Sequence, residues 1–151
     1  MSATVAAHLA TLAPLAPILV VEDNPMDLDL TLRAFSRRAC ANPIQVARDG
    51  EEALAYLERW DAGEPQPAVI LLDINMPRVN GIEVLQQLKQ HPRYRRIPVV
   101  MLTSSRESRD LQTTYDLGAN SYIEKPVNFS RFLEIAAQIE AYWCSANERA
   151  Y

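Results

Sequence analysis

Several features that would announce a specialised class are scarce in this chain. It has no excess of basic residues: 15 lysines and arginines against 19 acids leave a formal net charge of −4. No Lys/Arg-rich stripe interrupts it, which argues against nucleic-acid binding. It has two cysteines, Cys40 and Cys144, far apart and in no metal-ligand spacing. They predict free thiols in a reducing compartment, the cytoplasm, and not a disulfide scaffold. Histidine is equally scarce: His8 and His91 are the only two, neither in a motif, and both are expected at the surface. No apolar run reaches the roughly 20 residues that cross a bilayer, so no membrane span is expected. The first 17 residues resemble a leader only superficially. They lack a positive start, and His8, Pro14 and Pro17 break the apolar stretch. Internal repeats are absent too.

What is present is an ordinary globular composition, 48% hydrophobic and 23% charged, over a length that suits one domain with a real core. Residues 1–16 read as a flexible arm, 17–144 as the domain and 145–151 as a short tail, with too little chain after Trp143 for an output module. Within the domain, short apolar runs alternate with amphipathic stretches. Ile18 to Val21, Ala68 to Leu72 and Pro98 to Leu102 are almost wholly apolar, as parallel strands covered on both faces are. Ile44 to Ala47 and Ser121 to Ile123 are shorter and more polar. Between them lie five helical patterns. Asn24 and Pro25 cap and start the first, which carries Leu28, Leu32 and Phe35. Asp49 with Glu52 caps the second, carrying Ala53, Leu54, Leu57 and Trp60. Asn80 caps the third, with Ile82, Leu85 and Leu88. Ser104 with Glu107 is the expected capping box of the fourth, whose thin apolar face is Leu111 and Tyr115 and whose end is Gly118. The fifth starts near Asn128 and turns Phe132, Ala136, Ile139 and Trp143 inward. Five β-α units of this kind predict an open, doubly wound parallel sheet, in which chemistry collects at the carboxyl ends of the strands beside the topological switch point.

Polar residues crowd those ends. Glu22-Asp23 follow strand one, Asp73 and Asn75 follow strand three, Thr103 closes strand four, and Lys125-Pro126 follow strand five. On one rim they would bring together three carboxylates, a hydroxyl and an ammonium. Close carboxylates resist ionising together. A Mg²⁺ ion, which takes hard oxygen ligands, and an opposing lysine relieve that. A carboxylate so placed is suited to attack phosphorus, with metal and lysine neutralising the phosphoryl oxygens.

The segments Val21-Glu22-Asp23-Asn24, Leu72-Asp73-Ile74-Asn75-Met76-Pro77, Leu102-Thr103-Ser104 and Tyr122-Ile123-Glu124-Lys125-Pro126 resemble the receiver domains of two-component response regulators, over residues 17 to 143. The resemblance implies a flavodoxin-like (βα)5 fold with strand order 2-1-3-4-5. It implies that Asp73 is the phosphoacceptor, that Asp23, Glu22, Asp73 and the Asn75 carbonyl hold Mg²⁺, and that Thr103 and Lys125 bind the phosphoryl group. It further implies that Tyr122 is an aromatic switch and that Lys125-Pro126 is a cis peptide. The Glu-Asp-Asn-Pro-x-Asp opening, Tyr94 to Val99, Asn120 to Tyr122 and the ending Ile139 to Trp143 resemble stand-alone regulators of phytochrome-type histidine kinases. This implies such a kinase as partner, an unnamed downstream protein, and a homodimer through helix four, strand five and helix five.

The expected function is a cytoplasmic single-domain response regulator that catalyses only its own phosphorylation and dephosphorylation. A phosphorelay intermediate passing the phosphoryl group to a histidine phosphotransfer protein shares the same chemistry. A pseudo-receiver working without phosphorylation is disfavoured by the complete acid-lysine set. An aspartate-nucleophile hydrolase is disfavoured by Asn75, which stands where a second acid is wanted.

Overall fold

The computed structural model describes residues 15–151; the expectations for residues 1–14, including His8, lie outside the described residues. Five parallel strands, β1 (Ile18–Val21), β2 (Ile44–Ala47), β3 (Val69–Leu72), β4 (Val99–Thr103) and β5 (Ser121–Glu124), form one sheet in the order β2-β1-β3-β4-β5. The crossovers are α1 (Pro25–Arg37), α2 (Gly50–Asp61), α3 (Gly81–Gln90) and α4 (Ser108–Asp116), and α5 (Phe129–Ala141) closes the fold before a single π-helical turn, Tyr142–Ala146. The predicted flavodoxin-like topology is therefore the observed one.

Alternation along the strands sorts the core into two layers. Leu19, Val21, Ile70, Leu72 and Met101 face Trp60, Leu85 and Leu88 of α2 and α3. Ile18, Val20, Leu71 and Leu102 face Leu28 and Phe35 of α1 and Phe132 and Ile139 of α5. The central strands are sealed on both sides, which explains their apolar runs, whereas the edge strands β2 and β5 are only half-buried. Helix starts follow their caps. The side chains of Asn24, Asp49, Asn80 and Asn128 each accept backbone N–H groups of the first turn, at 2.8–3.1 Å. Gly118 follows α4 with φ of 105°, the left-handed cap expected of it.

Two expectations are corrected. Ser104 does not cap α4. The N-cap position is Glu107, which makes no side-chain cap bond. The loop is organised by Ser105 instead, whose hydroxyl donates to Asp110 Oδ2 at 2.6 Å and accepts from the Glu107 N–H. The thin apolar face of α4 is open to solvent. Leu111 and Tyr115 are 40% and 48% exposed, and Thr114, its hydroxyl satisfied by the Asp110 and Leu111 carbonyls, is the buried residue. Finally, the Lys125–Pro126 peptide is trans, as are all peptide bonds among the described residues. A prolyl amide favours trans by only about 0.5–1 kcal/mol, so a Lys-Pro pair in a sequence does not decide the isomer. Trp143, placed inward, is half-buried in the π-helical turn. Tyr94, in the loop between α3 and β4, is fully buried and packs edge-on to Trp60.

Candidate phosphoacceptor site

The sheet order reverses between β1 and β3, and the acids stand at that point. The Asp73 N–H donates to Val21 and the Glu22 N–H to Ala47, so the ladder continues one residue past each strand and fixes where both side chains emerge. Gly81 closes the far side. A Cβ there would lie 2.0 Å from the Asp73 carbonyl oxygen, so only glycine lets α3 begin against the backbone of the phosphoacceptor candidate.

Glu22, Asp23 and Asp73 each offer a carboxylate oxygen within 4.8 Å of the others. Glu22 and Asp73 are buried, 4% exposed each, and Asp23 is half-exposed. The Lys125 ammonium spends its three N–H donors on carboxylates: Glu22, Asp27 Oδ2 at 2.8 Å and Asp73 Oδ2 at 3.0 Å. This leaves Glu22 Oε2 and Asp73 Oδ1 buried without a hydrogen-bond partner. Two orphaned carboxylate oxygens beside a third acid are the donor set of a hard divalent cation, and the residues fit one.

Electrostatics record the crowding. Burial, then the adjacent carboxylate of Asp73 and its charge, raise Glu22 to about 8 against the pull of Lys125. Burial opposes the charge of Lys125, but its hydrogen bonds to Asp27 and Glu22 and the negative charges of Asp73 and Glu22 outweigh it and hold the ammonium above its ordinary range. The site thus carries a permanent cation and one carboxyl that keeps its proton near neutrality unless a stronger cation displaces it.

The other expected residues lie on the adjoining strand ends and loops. Thr103 is fully buried at the end of β4, its Oγ1 accepting the Ser105 N–H at 3.2 Å and its carbonyl accepting the Lys125 N–H at 2.8 Å. Tyr122, half-buried against the α2–α3 layer, donates its hydroxyl to the Ser105 carbonyl at 3.0 Å. One loop thereby joins Thr103, Ser105 and Tyr122. Asn75 is exposed and lines an open groove of about 580 Å³ with Ile74, Asn80, Glu107 and Asp110. The sequence reading did not pick out Asp27 as a site residue. Its signal was there, an acid in the first turn of α1 within the Glu-Asp-Asn-Pro-x-Asp opening, but such an acid is equally expected from helix electrostatics alone.

Comparison with known proteins agrees with this geometry. The sequence model of the response regulator receiver domain matches residues 18–137. Response regulator Rcp1 of Synechocystis sp. is 37% identical over 128 residues, 83% of this chain and 87% of that protein. The Mn²⁺-bound form of Rcp1 matches with a TM-score of 0.80 at 33% identity, over 90% of this chain and 99% of that one. The phosphorylated cyanobacterial phytochrome response regulator RcpA matches with a TM-score of 0.83 and 37% identity, over 91% and 99% of the two chains. The bacteriophytochrome response regulator AtBRR is 48% identical with a TM-score of 0.71, over 90% and 100%. With this coverage, the chain belongs to the response regulator receiver domain family.

Proposed function

We propose that this protein is a single-domain response regulator that accepts a phosphoryl group on Asp73 with Mg²⁺ and signals by a change in protein–protein affinity. The observation that carries the reading is the Lys125 ammonium 3.0 Å from Asp73 Oδ2, inside a cluster of carboxylates with unsatisfied oxygens. Asp73 supplies the nucleophilic oxygen: it attacks phosphorus, the bond to the donor breaks, and the donor leaves with that bond's electron pair. Lys125, with a hydroxyl from Thr103, meets the charge on the phosphoryl oxygens. Glu22, Asp23, Asp73 and the Asn75 carbonyl would hold Mg²⁺, which supplies charge neutralisation when bound. The chain acts on itself and needs no separate substrate site.

The added charge and acceptor oxygens at Asp73 draw Thr103, and the Ser105 loop tied to Tyr122 follows. That loop leads into α4, which carries exposed Leu111 and Tyr115 and packs beside the edge strand β5. These features support a phosphorylation-dependent homodimer or partner face there. The relatives named for phytochromes support a phytochrome-type histidine kinase as phosphodonor. Intact mass after incubation with acetyl phosphate and Mg²⁺ tests the reading. A labile gain of one phosphoryl group in the wild type and none in Asp73→Asn is expected; equal gain in both, or binding of neither phosphoryl group nor fluoroberyllate, refutes it.

A further inference from the structure

Lys125 has three carboxylate partners, and the proposed reaction claims two of them. Glu22 belongs to the acidic cluster that suits a cation, and Asp73 becomes an acyl phosphate. Asp27 is outside that cluster. It stands on the first turn of α1, one third exposed, and accepts from Lys125 Nζ at 2.8 Å. Its backbone is held independently: its N–H donates to the Asn24 cap, and its carbonyl accepts the buried Thr31 hydroxyl at 2.9 Å. Its carboxylate therefore sits on a fixed point.

The consequence follows from counting donors. An ammonium has three N–H groups. When a cation takes Glu22 and Asp73 carries a phosphoryl group, Asp27 is the one original partner left to Lys125. A lysine side chain with four rotatable bonds otherwise gives up much rotamer freedom to stay over one spot. We propose that Asp27 is a positioning residue which anchors Lys125 over Asp73, so that the lysine's remaining N–H groups meet the phosphoryl oxygens. This rests on the phosphoacceptor reading above.

Binding of two probes separates the ideas: Mg²⁺ alone, and fluoroberyllate in saturating Mg²⁺ as a phosphoryl mimic, both followed by calorimetry on the full chain. In Asp27→Ala the Mg²⁺ Kd is expected to stay within about threefold of wild type, while the fluoroberyllate Kd rises about tenfold or more, the scale of one charge-assisted hydrogen bond. Asp27→Asn, which keeps an acceptor oxygen but loses the charge, should fall between. Glu22→Gln should instead weaken Mg²⁺ itself. Because the helix cap uses the Asp27 backbone and not its side chain, both Asp27 variants should fold. An unchanged fluoroberyllate Kd in Asp27→Ala overturns the proposal, as does an equal loss for both probes, which would place Asp27 in the metal cluster. Failure of the wild type to bind fluoroberyllate with Mg²⁺ refutes the phosphoacceptor reading, and the anchor falls with it.

Discussion

Replacing Asp73 by Asn should change the stability of the metal-free protein by an amount that depends on pH. Asp73 has one attraction and three repulsions in the site. Its contact with Lys125 at 3.0 Å is worth about 5.5 kcal/mol at an effective dielectric of about 20. Asn keeps an acceptor there and returns about 2 kcal/mol as a hydrogen bond to a charged group, so the net loss is about 3.5 kcal/mol. Repulsion by an ionised carboxylate no more than 4.8 Å away is about 3.5 kcal/mol for buried Glu22 and about half that for solvated Asp23. Asp27, on the same ammonium and one third exposed, adds about 1.5 kcal/mol. Above pH 8, where Glu22 is ionised, removing the charge relieves about 6.5 kcal/mol of repulsion, and Asp73→Asn should stabilise by about 3 kcal/mol. At pH 6 Glu22 holds its proton and only about 3 kcal/mol of repulsion from Asp23 and Asp27 is relieved, so the same substitution should be nearly neutral. The wild type drives the difference. Its folded state keeps the Glu22 proton up to about 8 whereas the unfolded chain releases it near 4.5, so its stability falls as pH rises between those values. Urea denaturation in EDTA at pH 6 and pH 9 measures both limbs, and a shift of 1 kcal/mol corresponds to about 2–5 °C in a thermal melt of a chain this size. Saturating Mg²⁺ should restore the wild type selectively. A variant less stable than wild type at pH 9 in EDTA would refute the claim that these carboxylates repel.

Lys125→Met removes the one cation from three carboxylates and should cost about 3–5 kcal/mol without metal, with part of the loss recovered in Mg²⁺, as read by urea melts. Apparent Mg²⁺ affinity should climb from pH 6 to about 8 and then level, because the cation must displace the Glu22 proton; a titration that is flat over that range would contradict the assignment. Gly81→Ala drives a Cβ into the Asp73 carbonyl and should destabilise by about 1–3 kcal/mol and weaken fluoroberyllate binding, measured on the same samples. Leu111→Glu with Tyr115→Glu should leave the monomer folded, since both side chains are exposed, and abolish any dimer that appears by size-exclusion chromatography after phosphorylation; persistence of that dimer would move the interface off α4.

The sequence by itself determined the sheet and most of the site. Apolar runs of four or five residues can be satisfied only by strands covered on both faces, and caps at Asn24, Asp49, Asn80 and Asn128 set the helix starts through bonds to their own first turns. Strand ends then dictated which polar residues share a rim, so Glu22, Asp23, Asp73 and Lys125 were legible in the sequence. Local signals failed where two readings had similar energies. The Lys125–Pro126 isomer depends on surroundings because its intrinsic preference is small. Ser104 and Ser105 are equivalent as sequence, and only the position of Asp110 selected Ser105 as the residue that orders the loop. Leu111 and Tyr115 have helical spacing, yet which side of α4 meets the sheet was settled by the buried Thr114. Asp27 shows the same division most clearly. An acid in a first helical turn is explained by the helix dipole alone, and its contact with a lysine 98 residues away exists only because the fold brings the end of β5 and the start of α1 to one rim of the sheet.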